Sequence, residues 1–191
     1  MAKIQLKYFL RRLTDIILVQ SLCVLRFILP RSRFRQLQCH FYSHMGIYVE
    51  GTPGFIGLTA QFDTSGKIEI QEGAVISEGV IVLTHDYSIV NAQKAASGSS
   101  PGLPFIGDVV IGRNSFIGLN TIITPGTRIG NNVVVGAGSL VTGVVEDGVI
   151  VAGVPARPIG YTAALAEQAQ VRVPNKSIRL PNRHARFVSL R

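Results

Sequence analysis

From Ile111 to Glu146 the apolar positions recur every six residues. Six consecutive hexads begin with Ile111, Ile117, Ile123, Ile129, Val135 and Val141. The fifth place is small or β-branched throughout: Ser115, Thr121, Thr127, Val133, Ser139 and Val145. The fourth place holds Asn114, Asn120, Gly126, Asn132 and Gly138, then Val144. Asn and Gly tolerate positive φ, so the first five fourth places suit a sharp corner. The second place is Gly or Thr. A six-residue period does not fit the 3.6-residue turn of an α-helix. A flat strand would not need a corner at every sixth position. Short flat sides joined at corners satisfy both features. Each first residue then points inward and stacks on its equivalents in the coils above and below. Three hexads close a triangular coil, and coils stack at roughly 4.8 Å.

The same pattern starts earlier, near Gly46. Ile56 and Phe62 open two hexads, after which the register slips by two and restarts at Ile70, Ile76 and Val82. An irregular corner at Ser65-Gly66 is expected to absorb the slip. Gly73 and Gly79 again hold fourth places, and His85 holds the fourth place of the hexad opened by Val82. His85 should therefore stand at a corner, pointing outward. Regularity stops there. A loop of 20 residues follows, from Asp86 to Phe105, with a Ser/Gly-rich tip at Ala95–Gly102. Loops this long inside a compact domain are usually functional or disordered. The coil resumes at Ile106.

Three parts follow: a basic, apolar helical segment (1–45), a coil body (46–160) carrying the 86–105 loop, and a short Ala-rich helix with a basic tail (161–191). Pro30 should end a helix. The apolar run before it is broken by Gln20, Ser21 and Arg26 and falls short of the roughly 20 residues needed to cross a bilayer. No small-residue cleavage site follows, which argues against a signal peptide. That segment suits packing on the coil end or a neighbouring subunit; an interfacial helix at the inner membrane face is the alternative.

Charge sharpens the division. Residues 1–40 carry eight Lys/Arg and one acid, residues 41–165 five and nine, and residues 166–191 six and one. Basic ends suit anionic lipid, phosphorylated ligands or nucleic acid. No nucleic-acid motif accompanies them, so nucleic acid is not expected as a partner. Two cysteines, Cys23 and Cys39, are too few for a disulfide framework, which points to a reducing cytoplasm. His40 and His44 lie four apart without a third ligand nearby, and no metal site is expected.

The ordered combination is more specific than the hexads alone. Thr84-His85 precedes the loop; Ile111-Gly-Arg-Asn-Ser-Phe-Ile-Gly118, Gly136-Ala-Gly-Ser139 and Gly153-Val-Pro-Ala-Arg157 follow it. Over about residues 55–160 this resembles the hexapeptide-repeat acetyltransferases, among them galactoside, maltose, nodulation-type and capsule or O-antigen O-acetyltransferases. The resemblance implies a mainly β fold, a single-stranded left-handed parallel β-helix. That hand departs from the usual crossover rule. It also implies a homotrimer with sites between subunits, acetyl-CoA as co-substrate and a hydroxyl acceptor on a sugar or surface-polysaccharide precursor.

A hydroxyl is a poor nucleophile until a base takes its proton, and His is suited to that task near neutral pH. By resemblance His85 is that base. Its alternative is a corner residue chosen for positive φ. The oxyanion role falls by resemblance on backbone N–H groups at Gly118-Leu119. Phe116 matches an aromatic position flanking the cofactor. Ala137 and Thr142 match pantetheine contacts, or serve coil packing, and Arg157 matches a phosphate contact. Gln61, Asp63, Asp86 and Tyr87 are acceptor-side candidates. Asp63 and Asp86 could instead orient His85 or serve as turn residues.

Two other functions share parts of this pattern. One is N-acetylation of a nucleotide-linked amino sugar, where an amine needs less help from a base. The other is a non-catalytic β-helix scaffold. A β-helical carbonic anhydrase would need three zinc-binding histidines, which the placement of His40, His44, His85 and His184 does not suggest. The 45 residues ahead of the coil are too few for the nucleotide-binding domain of a sugar nucleotidyltransferase.

Overall fold

The computed structural model describes residues 21–22, 24–99 and 102–172. The expected start of the first helix at Lys3 and the irregular basic tail lie outside them. Short strands, all but one of two or three residues, stack in parallel on three faces, forming a left-handed β-helix of about five turns. The first face stacks Ile47–Val49, Ile68–Ile70, Val109–Ile111, Arg128–Ile129 and Val144–Val145. The second stacks Phe55–Ile56, Val75–Ile76, Phe116–Ile117, Val134–Val135 and Val149–Gly153. The third stacks Gln61–Phe62, Ile81–Val82, Ile122–Ile123 and Leu140–Val141.

The first-place residues make the core. Ile56, Ile76, Ile117, Val135 and Val151 form one column by strand register, each no more than 3% exposed. Burying each such side chain stabilises by about 1.5–3 kcal/mol. The fifth-place Ser115, Thr121, Thr127 and Ser139 also point inward and are buried. Their hydroxyls are satisfied by backbone: Ser115 Oγ donates to Gly130 O at 2.7 Å and Ser139 Oγ to Gly136 O at 2.6 Å. This is why small hydroxyl residues recur there.

The corners follow the pattern too. Asn114, Asn120 and Asn132 have φ of 55–56°, with Gly126 at 79° and Gly138 at 68°. The second-place glycines answer a different demand. A Cβ on Gly118 would sit 2.5 Å from Ala137 N and 2.7 Å from Val135 O in the next coil. Close stacking therefore forbids a side chain there.

Three expectations need correction. The sixth hexad does not close as a hexad: the corner falls on Gly143, φ 72°, and Val145 pairs with Ile129 as a first-place residue would. The last coil is thus two residues short, which explains the apolar Val144 in the fourth place. Second, the segment 86–105 is not a plain loop. It is an arm in which His85–Asp86 pairs antiparallel with Phe105–Ile106 and encloses a ten-residue helix, Ser88–Ser97. The helix ends where Gly98 adopts φ 71°, its N–H bonded to Lys94 O. Third, His85 is a strand residue and not a positive-φ corner, so backbone tolerance does not explain it.

The slip near Ser65-Gly66 is present: eight residues instead of six separate Phe62 from its inward successor Ile70. At the base of the coil, helix α1 (Arg31–His44) follows the break at Pro30. Phe41 and Tyr42 of α1 are buried, and Tyr42 meets Phe62 edge-on with centroids 5.2 Å apart. Gln38 Nε2 donates to Ile56 O at 2.7 Å, fixing α1 to the first coil. His40 and His44 do share a helix; no group of three metal-ligating residues exists among the described residues. At the other end a hairpin, Val149–Gly153 with Ala156–Tyr161, leads into the expected Ala-rich helix, Thr162–Arg172.

Candidate active site

The corner between the third and first faces is where the first two coils depart from the repeat. Asp63 leaves the third face in the first coil, and Thr84 and His85 leave it one coil above; Asp63 N–H donates to Val82 O at 2.9 Å. His85 Nδ1 lies 2.6 Å from Asp63 Oδ2. The same Oδ2 accepts from Thr84 N–H at 2.9 Å. Its partner Oδ1 accepts from Ser65 N–H at 3.1 Å and Ser65 Oγ at 2.7 Å. The fully buried Thr84 hydroxyl lies 2.7 Å from Asp63 O and 2.8 Å from Oδ2, and accepts from Gly66 N–H at 2.9 Å.

This network sets the charge of Asp63. Burial alone would raise its pKa. Hydrogen bonds from Ser65, Thr84 and His85 outweigh burial and hold it well below the usual carboxylate range. An ionised carboxylate can only accept, so Nδ1 of His85 must carry the proton shared with Asp63. In the neutral imidazole the lone pair is then on Nε2. The imidazole is 37% exposed and its carboxylate partner 18%, so the ring is the more open to solvent of the two.

The two extra residues at Ser65-Gly66 make this possible. They carry the chain around an Asp-x-Ser turn in which the carboxylate holds the N–H two residues on. Gly66 passes close under the arm: a Cβ there would lie 3.0 Å from Ile106 Cγ2 and 3.2 Å from Thr84 Cβ. Sequence reasoning does not single out the side chains of Ser65 and Thr84 as site candidates. The Asp63-x-Ser65 spacing is the signal that could have found the first of them.

The other acceptor-side candidates separate. Tyr87 stands edge-on to His85, centroids 5.7 Å apart, and is exposed. Asp86 starts the arm helix, accepting from Ser88 N–H at 2.7 Å and Ser88 Oγ at 2.9 Å. Those bonds hold its carboxyl low and make it a turn residue. Gln61 is exposed on the third face opposite Ile81 and lines a 380 Å³ cavity beside Tyr42 and Met45 at the coil base. His85 does not line that cavity.

The cofactor-side candidates occupy other places. Gly118, Leu119 and Ala137 form a column on the corner between the second and third faces, where Gly138 N–H donates to Leu119 O at 2.8 Å. Phe116 lies outward on the second face, 42% exposed. Gly118 N–H is spent in the ladder, donating to Val135 O at 2.9 Å, so it is not an available oxyanion donor. Leu119 N–H has no acceptor among the described residues. Thr142 is exposed on the same corner column as His85, two coils further along. Arg157 is exposed on the terminal hairpin, its Nη1 3.1 Å from Ala156 O. One chain therefore gathers Asp63, Ser65, Thr84, His85 and Tyr87, and places Phe116, Leu119 and Ala137 around a different corner.

Known proteins share this arrangement of coils. A family profile described as the hexapeptide repeat of succinyl-transferase matches residues 108–143. A protein of Escherichia coli (strain K12), named for O-acetyl transfer in lipopolysaccharide biosynthesis, is 35% identical over 99 residues, 49% of this chain and 50% of that protein. Over about half of its length the chain is similar to hexapeptide-repeat acetyltransferases. The galactoside O-acetyltransferase of the same strain is 49% identical over 51 residues, 27% of this chain and 25% of that enzyme. A solved galactoside acetyltransferase in complex with coenzyme A superposes with a TM-score of 0.50 at 26% identity, covering 56% of this chain and 52% of that one. The chain spans about half the length, or less, of the curated relatives it matches.

Proposed function

We propose that this protein is an acetyl-CoA-dependent O-acetyltransferase that esterifies a hydroxyl of a sugar or surface-polysaccharide precursor. The observation that carries the reading is the 2.6 Å contact between His85 Nδ1 and an ionised, fully hydrogen-bonded Asp63. A scaffold would have no use for an imidazole held in one tautomer on an exposed corner. Amines need less base assistance, so the buttressed His favours a hydroxyl over an amino acceptor.

In this mechanism Nε2 of His85 takes the hydroxyl proton as the oxygen attacks the thioester carbonyl carbon. Leu119 N–H donates to the oxyanion of the tetrahedral intermediate. The C–S bond then breaks, and the departing thiolate takes the proton from Nε2. Asp63 acts through His85, fixing its tautomer and balancing the transient imidazolium.

His85 and Leu119 stand on different corners, separated by a side of six residues. At about 3.3 Å per residue that side is at most roughly 20 Å. In this reading a second copy supplies Leu119 to the corner carrying His85, and a closed ring of three does so for every corner at once. The same groove would carry the cofactor, with Phe116 flanking it, Ala137 and Thr142 along the pantetheine and Arg157 at the phosphates. The arm helix Ser88–Ser97 and Tyr87 would meet the acceptor. Such an enzyme works in the cytoplasm, where acetyl-CoA is made, and its basic ends suit contact with the inner membrane face.

The test is release of free CoA thiol from acetyl-CoA across sugars, nucleotide sugars and polysaccharide fragments. Acceptor-dependent release with an ester product supports the reading. Release only with amino sugars would replace it with N-acetylation, and absence of coenzyme A binding would leave the scaffold.

A further inference from the structure

Between Asp15 and Glu50 the chain has no acidic residue, yet it carries Arg26, Arg31, Arg33 and Arg35. These arginines stand beside strongly exposed apolar side chains: Phe27 is 80% exposed, Ile28 68% and Val24 60%. Residues 24–28 are helical and α1 begins at Arg31, so the two groups sit on either side of the break at Pro30. An apolar cluster next to cations of which only Arg26 meets an acid describes an interfacial surface.

The cluster is not simply left-over core. Leu22, on the same helical stretch, is 4% exposed and packs with Phe41 and Tyr42 under the coil. The helix thus has an inner side that closes the base and an outer side that no described residue covers. Between them opens a 450 Å³ cavity in which Arg26, Arg31 and Arg35 meet Phe27, Phe34 and Phe55. Arg31, Phe34, Arg35 and Gln38 share one face of α1 by their spacing. Gln38 anchors that face to the coil at Ile56 O, so the guanidinium groups are presented from a fixed platform. The nearest acid, Glu78, lies 3.9 Å from Arg26 and leaves the other three arginines unopposed among the described residues.

We propose that residues 24–35 form a docking surface for an anionic phospholipid bilayer. Phe27 and Ile28 enter the acyl boundary, and Arg31 and Arg35 hold headgroup phosphates at the mouth of the cavity. This surface gives residues to the membrane contact suggested above and does not depend on the acetyl-transfer chemistry. No described helix is long and apolar enough to cross a membrane.

The test is co-sedimentation of the full chain with vesicles of phosphatidylcholine plus phosphatidylglycerol, and with phosphatidylcholine alone. Binding is expected only to the anionic vesicles and should weaken in high salt. Each cation near an anionic surface is worth roughly fivefold in partitioning, so Arg31→Gln with Arg35→Gln should weaken binding by roughly 25-fold. Phe27→Ser should cost about tenfold, and its exposure means the coil does not need it for folding. Circular dichroism, sedimentation and thiol release in vesicle-free solution should be unchanged in both variants. Failure to bind anionic vesicles overturns the proposal. So does unchanged binding in the folded variants, or loss seen only when Lys176, Arg179 and Arg183 of the tail become Gln. Binding of RNA oligomers in place of vesicles would also overturn it.

Discussion

Two corners of the same triangle obey different rules. At Gly118–Thr121 the backbone path is set by stacking, which leaves only the Leu119 N–H outside the ladder. Gly118 admits the next coil, Asn120 takes the positive φ, and Thr121 turns inward to a backbone carbonyl, Thr121 Oγ1 lying 3.3 Å from Gly136 O. Stacking alone does not set the corner at Asp63–Gly66 and Thr84–His85. It has two extra residues, a carboxylate that consumes five hydrogen-bond contacts, and an imidazole where neighbouring hexads place Asn or Gly. The regular corner stabilises the coil, and the irregular one holds an imidazole against an ionised carboxylate. In a repeat fold, departures from the repeat mark the chemistry more sharply than the repeat itself.

That contrast can be broken by substitution. Asp63→Asn should be the most damaging change to turnover at the irregular corner, apart from loss of His85. An amide can donate to Nδ1, so Nε2 would tend to carry the proton and could no longer accept one. A fall in kcat by roughly 10² to 10³ is expected, with acetyl-CoA affinity unchanged. Steady-state kinetics would show it; retention of full kcat would remove Asp63 from the mechanism.

At the regular corner the effect should fall on stability. Gly118→Ala forces a Cβ into Ala137 N and Val135 O, with an expected loss of about 1–3 kcal/mol or more by chemical denaturation. An unchanged midpoint would mean that the coils separate more easily than their spacing implies.

Acid should distinguish the two corners again. Asp63 is held below the ordinary carboxylate range, opposed by burial but driven by its hydrogen bonds from Ser65, Thr84 and His85. A depressed pKa contributes stability that is fully present above the unfolded value of roughly 4 and is lost as pH falls through the folded value. Melting temperatures of wild type and Asp63→Asn should therefore differ at neutral pH and converge in strong acid. A gap that widens in acid would contradict this sign.

The smallest effect belongs to Asn120. At φ 56°, Asn120→Ala should cost roughly 1 kcal/mol and Asn120→Gly far less. Equal losses in denaturation midpoint would show that the side chain, not the backbone, is the reason for Asn.

The coil was legible from residue types because stacking repeats the same demand at every turn. Ile at first place, a hydroxyl at fifth place and Asn at fourth place each report one recurrent environment. The short last coil was not legible, because Val144 and Val145 look alike until Gly143 is seen to make the corner. The arm helix was missed because Ser88–Ser97 has no side-chain N-cap bond from its capping residue and buries no side chain, so no core demand marks it. Asp63 could be suspected as the partner of His85, but residue types alone do not establish the pairing, since 22 residues and one coil separate them. Gly118 and Leu119 looked equivalent as donors until the ladder was seen to use one amide and not the other.

At the centre of the proposed mechanism His85 activates a hydroxyl for attack on acetyl-CoA. The direct measurement is kcat for acceptor-dependent thiol release by His85→Ala, alongside its acetyl-CoA affinity and melting temperature. The predicted result is a fall in kcat by roughly 10² to 10⁴, with cofactor affinity and fold intact. A folded His85→Ala protein that keeps most of its turnover on a hydroxyl acceptor would contradict it.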